Sequence, residues 1–266
     1  HRVRPNFELT ADNMRYIVRL CRLVEGSPLG ILLAGSWMEM LAPDEIAGEI
    51  EKSLDFLETR QRDVPERQHS MRAVFDTSWK LLTSGEQNVF MKSSVFRGGF
   101  AREAAQQVTG ASLRDLMGLV DKSLLQRNPS GRYGIHELLR QYGAEKLSNV
   151  PEELEVASNK HSTFFAEFLH TREASLHGKD QQVVTSEIET EIGNIKIGWD
   201  WAVEHMQVGR IADYLESVYD LHDTRGWSHE GVKLFAQTFQ SLTSASDDRA
   251  TQLLRGRLLM WQGVLS

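Results

Sequence analysis

The sequence predicts a mainly α protein. A small set of N-terminal helices comes first, then a winged helix with a two-stranded β-wing, then stacked helical, TPR-like repeats. Three observations carry this reading. Apolar residues recur at spacings of three and four through most of the 266-residue chain, the signature of amphipathic helices. One stretch departs from that rhythm: Leu124–Arg127 and Arg132–Ile135 read as short extended segments around the turn Asn128-Pro129-Ser130-Gly131. Beyond Pro151 a helix–turn–helix rhythm sets in, and Trp227 and Trp261 stand 34 residues apart, a tetratricopeptide period.

The elements follow in order. Residues 1–9 are expected to be extended, with Pro5 preventing an early helix. Thr10 or Asp12 caps a helix to about Glu25, whose apolar stripe is Met14, Ile17, Val18, Cys21 and Val24. Gly26-Ser27-Pro28 breaks it, and Pro28 suits the first turn of a second helix. That helix is expected to turn Leu29, Leu32, Leu33, Ser36, Trp37 and Met40 to one face, while Gly30 and Ala34 leave room for a close neighbour. A third helix runs from Pro43 to about Ser53, and a linker with apolar anchors Phe56 and Leu57 continues to Glu66.

From Ser70 the stripe Met71, Val74, Phe75, Ser78, Trp79 and Leu82 marks a helix in which Trp79 is expected to be buried. Thr83-Ser84-Gly85-Glu86 starts the next, to about Val95. Phe96-Arg97-Gly98-Gly99-Phe100 is a turn, Ala101–Val108 a short helix, and Ser112 caps another with Leu113, Leu116, Met117 and Val120 inward. The hairpin comes next, and then a helix carrying Ile135, Leu138, Leu139 and Tyr142. His136 falls where the second strand becomes that helix. A side chain at a helix start lies beside unsatisfied backbone N–H groups, where phosphates bind. Further on, Phe164 to Leu169, Ile188 to Ala202, Ile211 to Leu221, Val232 to Leu242 and Leu254 to Leu265 mark five helices, with a break at Gly178.

Composition narrows the function classes. Hydrophobic residues make up 41% and charged residues 25%, ordinary for a globular chain. No apolar run is long enough for a bilayer span, and no signal peptide opens the chain, so a cytoplasmic location is expected. The net charge of −7 argues against a broad nucleic-acid footprint. With a single cysteine, Cys21, no internal disulfide forms, and Cys21 is read as a core residue. His161, His170, His177, His205, His222 and His229 are scattered, without metal-ligand spacing. Glu187, Glu189 and Glu191 alternate, so a helix would splay them as a solvated region. Trp199, Trp201, Trp227 and Trp261 are read as repeat core. His1 in place of methionine, and an apolar pattern still running at Leu265, suggest a piece of a larger protein.

Several blocks in fixed order resemble bacterial STAND-type signalling NTPases, relatives of the NB-ARC switch proteins, which occur in LuxR- or SARP-like transcriptional regulators. The blocks are Arg62-Asp63-Val64-Pro65-Glu66-Arg67, Ser70 to Phe75, Ser78 to Leu82, Val95 to Phe100, Leu119 to Leu124, and Ile135-His136-Glu137-Leu138-Leu139-Arg140-Gln141-Tyr142. The resemblance implies the end of a nucleotide-binding domain plus a small helical domain over residues 1–66. It further implies a winged helix over 67–148 and a TPR-like repeat region over 149–266. Gly26-Ser27-Pro28 resembles the family's Gly-x-Pro motif, whose proline packs near adenine. Ile135-His136-Glu137 resembles its Met-His-Asp motif, whose histidine contacts the β-phosphate of ADP. Isoleucine replaces methionine, and glutamate replaces aspartate with the charge moved one methylene outward. The implied nucleotide-sensing residues are thus His136, Pro28 and Gly26.

No Gly-x-x-x-x-Gly-Lys-Ser/Thr occurs in the chain. ADP or ATP with Mg is therefore expected only through an upstream P-loop domain, with none on the isolated fragment. The fragment is expected not to be an enzyme, its parent a slow ATPase. A protein or small-molecule signal is expected on the repeats, and homo-oligomerisation in the active state. Two other readings stand beside this one: a passive helical scaffold, and a winged-helix DNA-binding module. The helix Ser112–Ser123 carries Arg114 and Lys122 against Asp115 and Asp121. Its charge sums to zero, so direct DNA binding by this domain is not expected.

Overall fold

The computed structural model describes residues 10–24, 26–58, 70–179, 181–244 and 248–266. The expected extended start over 1–9 and the block Arg62–Arg67 lie outside the described residues. The fold is mainly α, with fourteen α-helices and one two-stranded antiparallel sheet among the described residues. They divide into two compact units. One comprises the residues up to Ser94 with Ala111–Pro151; the other comprises Val95–Gly110 and Glu152–Ser266.

The first unit opens with α1 (Ala11–Leu23), α2 (Pro28–Ser36) and α3 (Pro43–Lys52). Thr10 caps α1 in a reciprocal box with Asn13, satisfying two backbone donors that a bare helix start leaves open. Ser27 Oγ accepts the Gly30 N–H at 3.3 Å ahead of Pro28 at the first helical position. Two apolar faces lie elsewhere than the sequence periodicity suggests. Cys21 is exposed, and so are Met14 and Val18; α1 buries Leu20, and of the expected stripe Val24 is buried just past the helix end. In α2 the buried residues are Gly30, Leu33 and Ala34, while Leu32 and Met40 face outward. The reason is local. An alanine Cβ at position 30 would lie 2.8 Å from Val24 Cβ, so the glycine lets α2 close against the end of α1. That contact sets which side of α2 turns inward.

After a short turn of helix, Leu54–Phe56, whose Phe56 stacks on Trp37 at 4.6 Å, come α4 (Met71–Lys80) and α5 (Ser84–Ser93). Thr83 and Glu86 form the capping box of α5. Glu86 is itself buried, and its carboxylate pairs with Lys122. This ion pair and the Thr83 N–H hold the carboxyl below its ordinary range. α7 (Leu113–Asp121) starts at Ser112. It buries Leu116 and Leu119, whereas Leu113 and Met117, expected inward, are about half exposed.

The hairpin is β1 (Gln126–Arg127) with β2 (Tyr133–Gly134), pairing Gln126 with Gly134 and Arg127 with Tyr133. Asn128 Oδ1 accepts the Arg132 N–H at 2.9 Å, and Gly131 takes a φ of 84°, a conformation that favours glycine. α8 (Glu137–Ser148) follows at once and buries Leu138, Leu139 and Tyr142. Tyr142 packs edge-on to Phe75 at 5.7 Å and donates its hydroxyl to Asp76 at 2.6 Å. Burial and this bond push the phenol well above its ordinary range. Trp79, expected to be buried, is half-buried at the edge of this cluster, 6.1 Å from Phe90.

The second unit contains α6 (Arg102–Thr109), α9 (Pro151–His170), α10 (Gln181–Thr190), α11 (Ile192–Glu204), α12 (Val208–Arg225), α13 (Ser228–Ser241) and α14 (Arg249–Leu265). The stripe Ile188–Ala202, read as one helix, is two: it breaks at Glu191. Glu191 is buried, so it departs from the expected solvated region, while Glu187 and Glu189 keep access to solvent and pair with Arg172 and Arg225. Phe96 stacks on Phe100 at 4.3 Å and meets Phe165 edge-on. Trp199, Tyr214 and Phe235 form a second aromatic cluster. Full burial of each such ring is worth roughly 1.5–3 kcal/mol. Of the four tryptophans read as core, Trp199 is buried, Trp201 and Trp261 are half-buried, and Trp227 is 39% exposed.

Candidate functional site

His136 is the N-cap of α8, and its Nδ1 accepts the Leu138 N–H at 3.1 Å. An accepting Nδ1 places the hydrogen of the neutral ring on Nε2. The short strand before it and the helix after it fix where the ring stands. It opens on a cleft of about 370 Å³ in the first unit, walled by Arg15, Val18, Arg19, Arg22 and Leu23 of α1 and by Ile135, His136 and Glu137.

Three arginines of one helix meet the histidine here because positions 15, 19 and 22 fall on one face of α1. Arg19 is held by Glu51 through bonds of 3.0 and 2.6 Å, which raises its guanidinium above its already high range. Arg15 donates to the Tyr16 hydroxyl at 2.8 Å. Among the described residues neither Arg15 nor Arg22 is in an ion pair. Glu137, the acid on the wall, is engaged by Arg140 at 2.8 and 2.6 Å. The cleft therefore carries an excess of positive charge and N–H donors, which suits an anion and above all a phosphate. Among the described residues no group of three His, Cys, Asp or Glu side chains comes together to hold a metal ion.

The other two residues implied as nucleotide-sensing lie apart from this wall. Gly26 is exposed with a φ of 68°, and Pro28 is exposed at the first position of α2. Neither lines the cleft with His136. Sequence reasoning missed the arginines. Their spacing was visible as Arg15, Arg19 and Arg22 on a predicted helix, but nothing in the chain announced that this helix would face a residue more than a hundred positions later.

A second polar cluster lies inside the second unit. Asn194 is fully buried. Its Oδ1 accepts the Arg97 N–H at 2.7 Å and lies 3.3 Å from His161 Nε2. Its Nδ2 donates to the Gly99 carbonyl at 2.9 Å and to Glu191 at 2.8 Å. His161 is buried, with no bond to its Nδ1 among the described residues. Burial, aided by the charge of Arg97, lowers its pKa to about 4. The ring is thus neutral near neutral pH, donating from Nε2 to Asn194. This cluster is closed to solvent and fixes the Phe96–Phe100 turn; it offers no open position to a substrate.

No family model and no solved structure matches the chain. Among curated proteins it is similar to one from Mycobacterium tuberculosis (strain ATCC 25618 / H37Rv) named "Putative HTH-type transcriptional regulator". The two are 29% identical over 268 residues, which cover 95% of this chain and 30% of that protein. A protein of the same name from Mycobacterium bovis (strain ATCC BAA-935 / AF2122/97) is similar to the same extent. An uncharacterized protein of Mycobacterium tuberculosis is 32% identical over 163 residues, 57% of this chain and 41% of that protein. The chain spans about 30% of the length of the regulators it matches. No described helix is long and apolar enough to cross a membrane.

Proposed function

We propose that this chain is the regulatory part of a nucleotide-switched transcriptional regulator of STAND type. In this reading an upstream P-loop domain holds ADP or ATP with Mg. The region Ser70–Ser148 reads the bound phosphate through His136, and the helices after Pro151 receive a signal. The observation that carries the reading is the cleft in which His136 stands with Arg15, Arg19 and Arg22. Its donors fit a phosphate, and its charge does not suit an apolar ligand. A switch needs a ligand that discriminates between two states. A phosphate contact made only when the regulator is closed supplies that, and its loss on exchange would free the regulator to oligomerise. The names of the relatives support the regulatory role.

DNA contact through α7 is not part of this proposal. Lys122 is engaged by Glu86, Asp115 by the Ser112 cap, and the open positions Leu113 and Met117 are apolar. Phosphate neutralisation drives DNA affinity, and on this surface the exposed Arg114 is balanced by the exposed Asp121.

The test is ADP dissociation from the full-length protein that contains this chain. A lost hydrogen bond to a charged group costs about 1.5–3 kcal/mol, or roughly 10- to 150-fold in the closed–open equilibrium. His136→Ala is expected to speed ADP release on that scale with an unchanged circular dichroism spectrum, and Arg22→Ala to speed it less. Release at the unaltered rate from a folded His136→Ala protein returns His136 to a helix cap and leaves the scaffold reading in its place.

A further inference from the structure

A second cleft, of about 550 Å³, opens among α11, α12 and α13 of the second unit. Its floor is Ile195, Trp199, Val218 and Leu221, all buried. Of the four floor side chains only Trp199 carries a polar atom, and that atom is already used. Trp199 Nε1–H donates to Thr238 Oγ1 at 3.2 Å, and His222 Nδ1 lies 2.7 Å from the Val218 carbonyl, a pairing that requires Nδ1–H. A polar group pressed onto the floor would lose its water without a replacement bond. The part of an occupant that reaches it must therefore be apolar.

The mouth is different. Trp227, at the start of α13, keeps its indole 39% exposed, edge-on to His222 at 6.1 Å. Leu234 completes the wall on the same helix. A half-open indole beside a buried one favours a flat ring, since aromatic pairs add to plain area burial. Around the rim stand Lys196 and Asp200 on α11 and Glu230 and Lys233 on α13. Among the described residues none of the four is in an ion pair, and their charges sum to zero. Such a rim solvates a polar group of either kind and concentrates neither sign. The volume falls within the range of small-molecule sites, which join apolar walls to a few polar groups.

We propose that this cleft binds an uncharged planar aromatic small molecule, its ring on the Ile195–Trp199 floor and against Trp227, its single polar group turned to the charged rim. Binding rests on the geometry of the second unit alone. That the ligand is the signal for the switch rests on the regulatory reading above.

The test is isothermal titration of the 266-residue chain with 2-naphthol, and with octanoate as an aliphatic probe. One saturable site for 2-naphthol is expected, with octanoate weaker. Trp227→Ala removes the aromatic wall at an exposed position, and Leu234→Trp fills the cleft. Each is expected to weaken 2-naphthol about tenfold while keeping the melting profile of the unaltered chain. His136→Ala is expected to bind 2-naphthol as the unaltered chain does, so failure of this cleft and failure of the phosphate reading show separately. Absence of saturable binding overturns the proposal. So does affinity that both cleft variants leave unchanged, or octanoate binding the tighter of the two.

Discussion

Asn194 ties two distant stretches of the second unit's backbone together. It joins the Phe96–Phe100 turn to α11 across 97 residues of sequence, through the Arg97 N–H and the Gly99 carbonyl, and it donates to Glu191. Gly98 and Gly99 both take positive φ, so the turn has the conformational freedom to present those groups. Asn194→Ala removes three short hydrogen bonds at a fully buried position, one of them to a carboxylate. We expect a loss of about 3 kcal/mol or more, read as a lower urea midpoint. A midpoint equal to that of the unaltered chain would mean that solvent replaces the cluster at no cost. None of this was legible in the residues. Glu191 read as solvated because side-chain spacing says nothing about what packs over a helix break. His136 is the opposite case: its place at a strand–helix junction was legible, and the three arginines facing it were not.

At the scale of the elements, α9, α11 and α12 meet through a glycine. Ser162 Oγ donates to the Gly198 carbonyl at 2.7 Å, and the Tyr214 hydroxyl donates to the Ser162 carbonyl at 2.8 Å. A Cβ on Gly198 would collide with the Tyr214 hydroxyl and approach the Ser162 backbone to 3.3 Å. Gly198→Ala is therefore expected to destabilise by roughly 1–3 kcal/mol, as overpacking does, despite alanine's better helix propensity. Tyr214→Phe removes the colliding hydroxyl. The double variant should then lose less than the two singles added together, measured by thermal unfolding, and strict additivity would place the strain elsewhere. The helices themselves were readable from caps and periodicity: Thr10, Thr83 and Ser112 cap as their residue type suggests. Their inward faces were read less well. In α1, α2 and α7 the apolar residues outnumber the positions a partner covers, and the partner chooses which stay open.

For the whole molecule, His161 ties stability to pH. Its pKa is about 4 in the folded chain, against about 6.5 in an unfolded one. Between those values the unfolded chain binds the extra proton. Stability is therefore fully present above about pH 6.5 and declines as pH falls toward 4, where the slope ends. The loss from this group is on the order of 3 kcal/mol. Urea midpoints between pH 7 and pH 4.5 measure it. His161→Asn is expected to flatten that part of the profile, and an unchanged slope would assign the effect to other groups.

The sequence by itself determined the mainly α class, several of the helix starts, the hairpin at Asn128–Gly131 and the place of His136, because each depends on neighbours a few residues away; it did not show the break at Glu191. The tertiary structure alone decided which helix faces are covered, that Cys21 and Trp227 stand open, and that α1 lends its arginines to the histidine cleft. It also decided how the chain divides, with Val95–Gly110 grouped with the C-terminal helices. Those outcomes depend on partners distant in sequence. Burial is set by the surface that arrives to cover a face, and no local pattern of residues encodes that arrival.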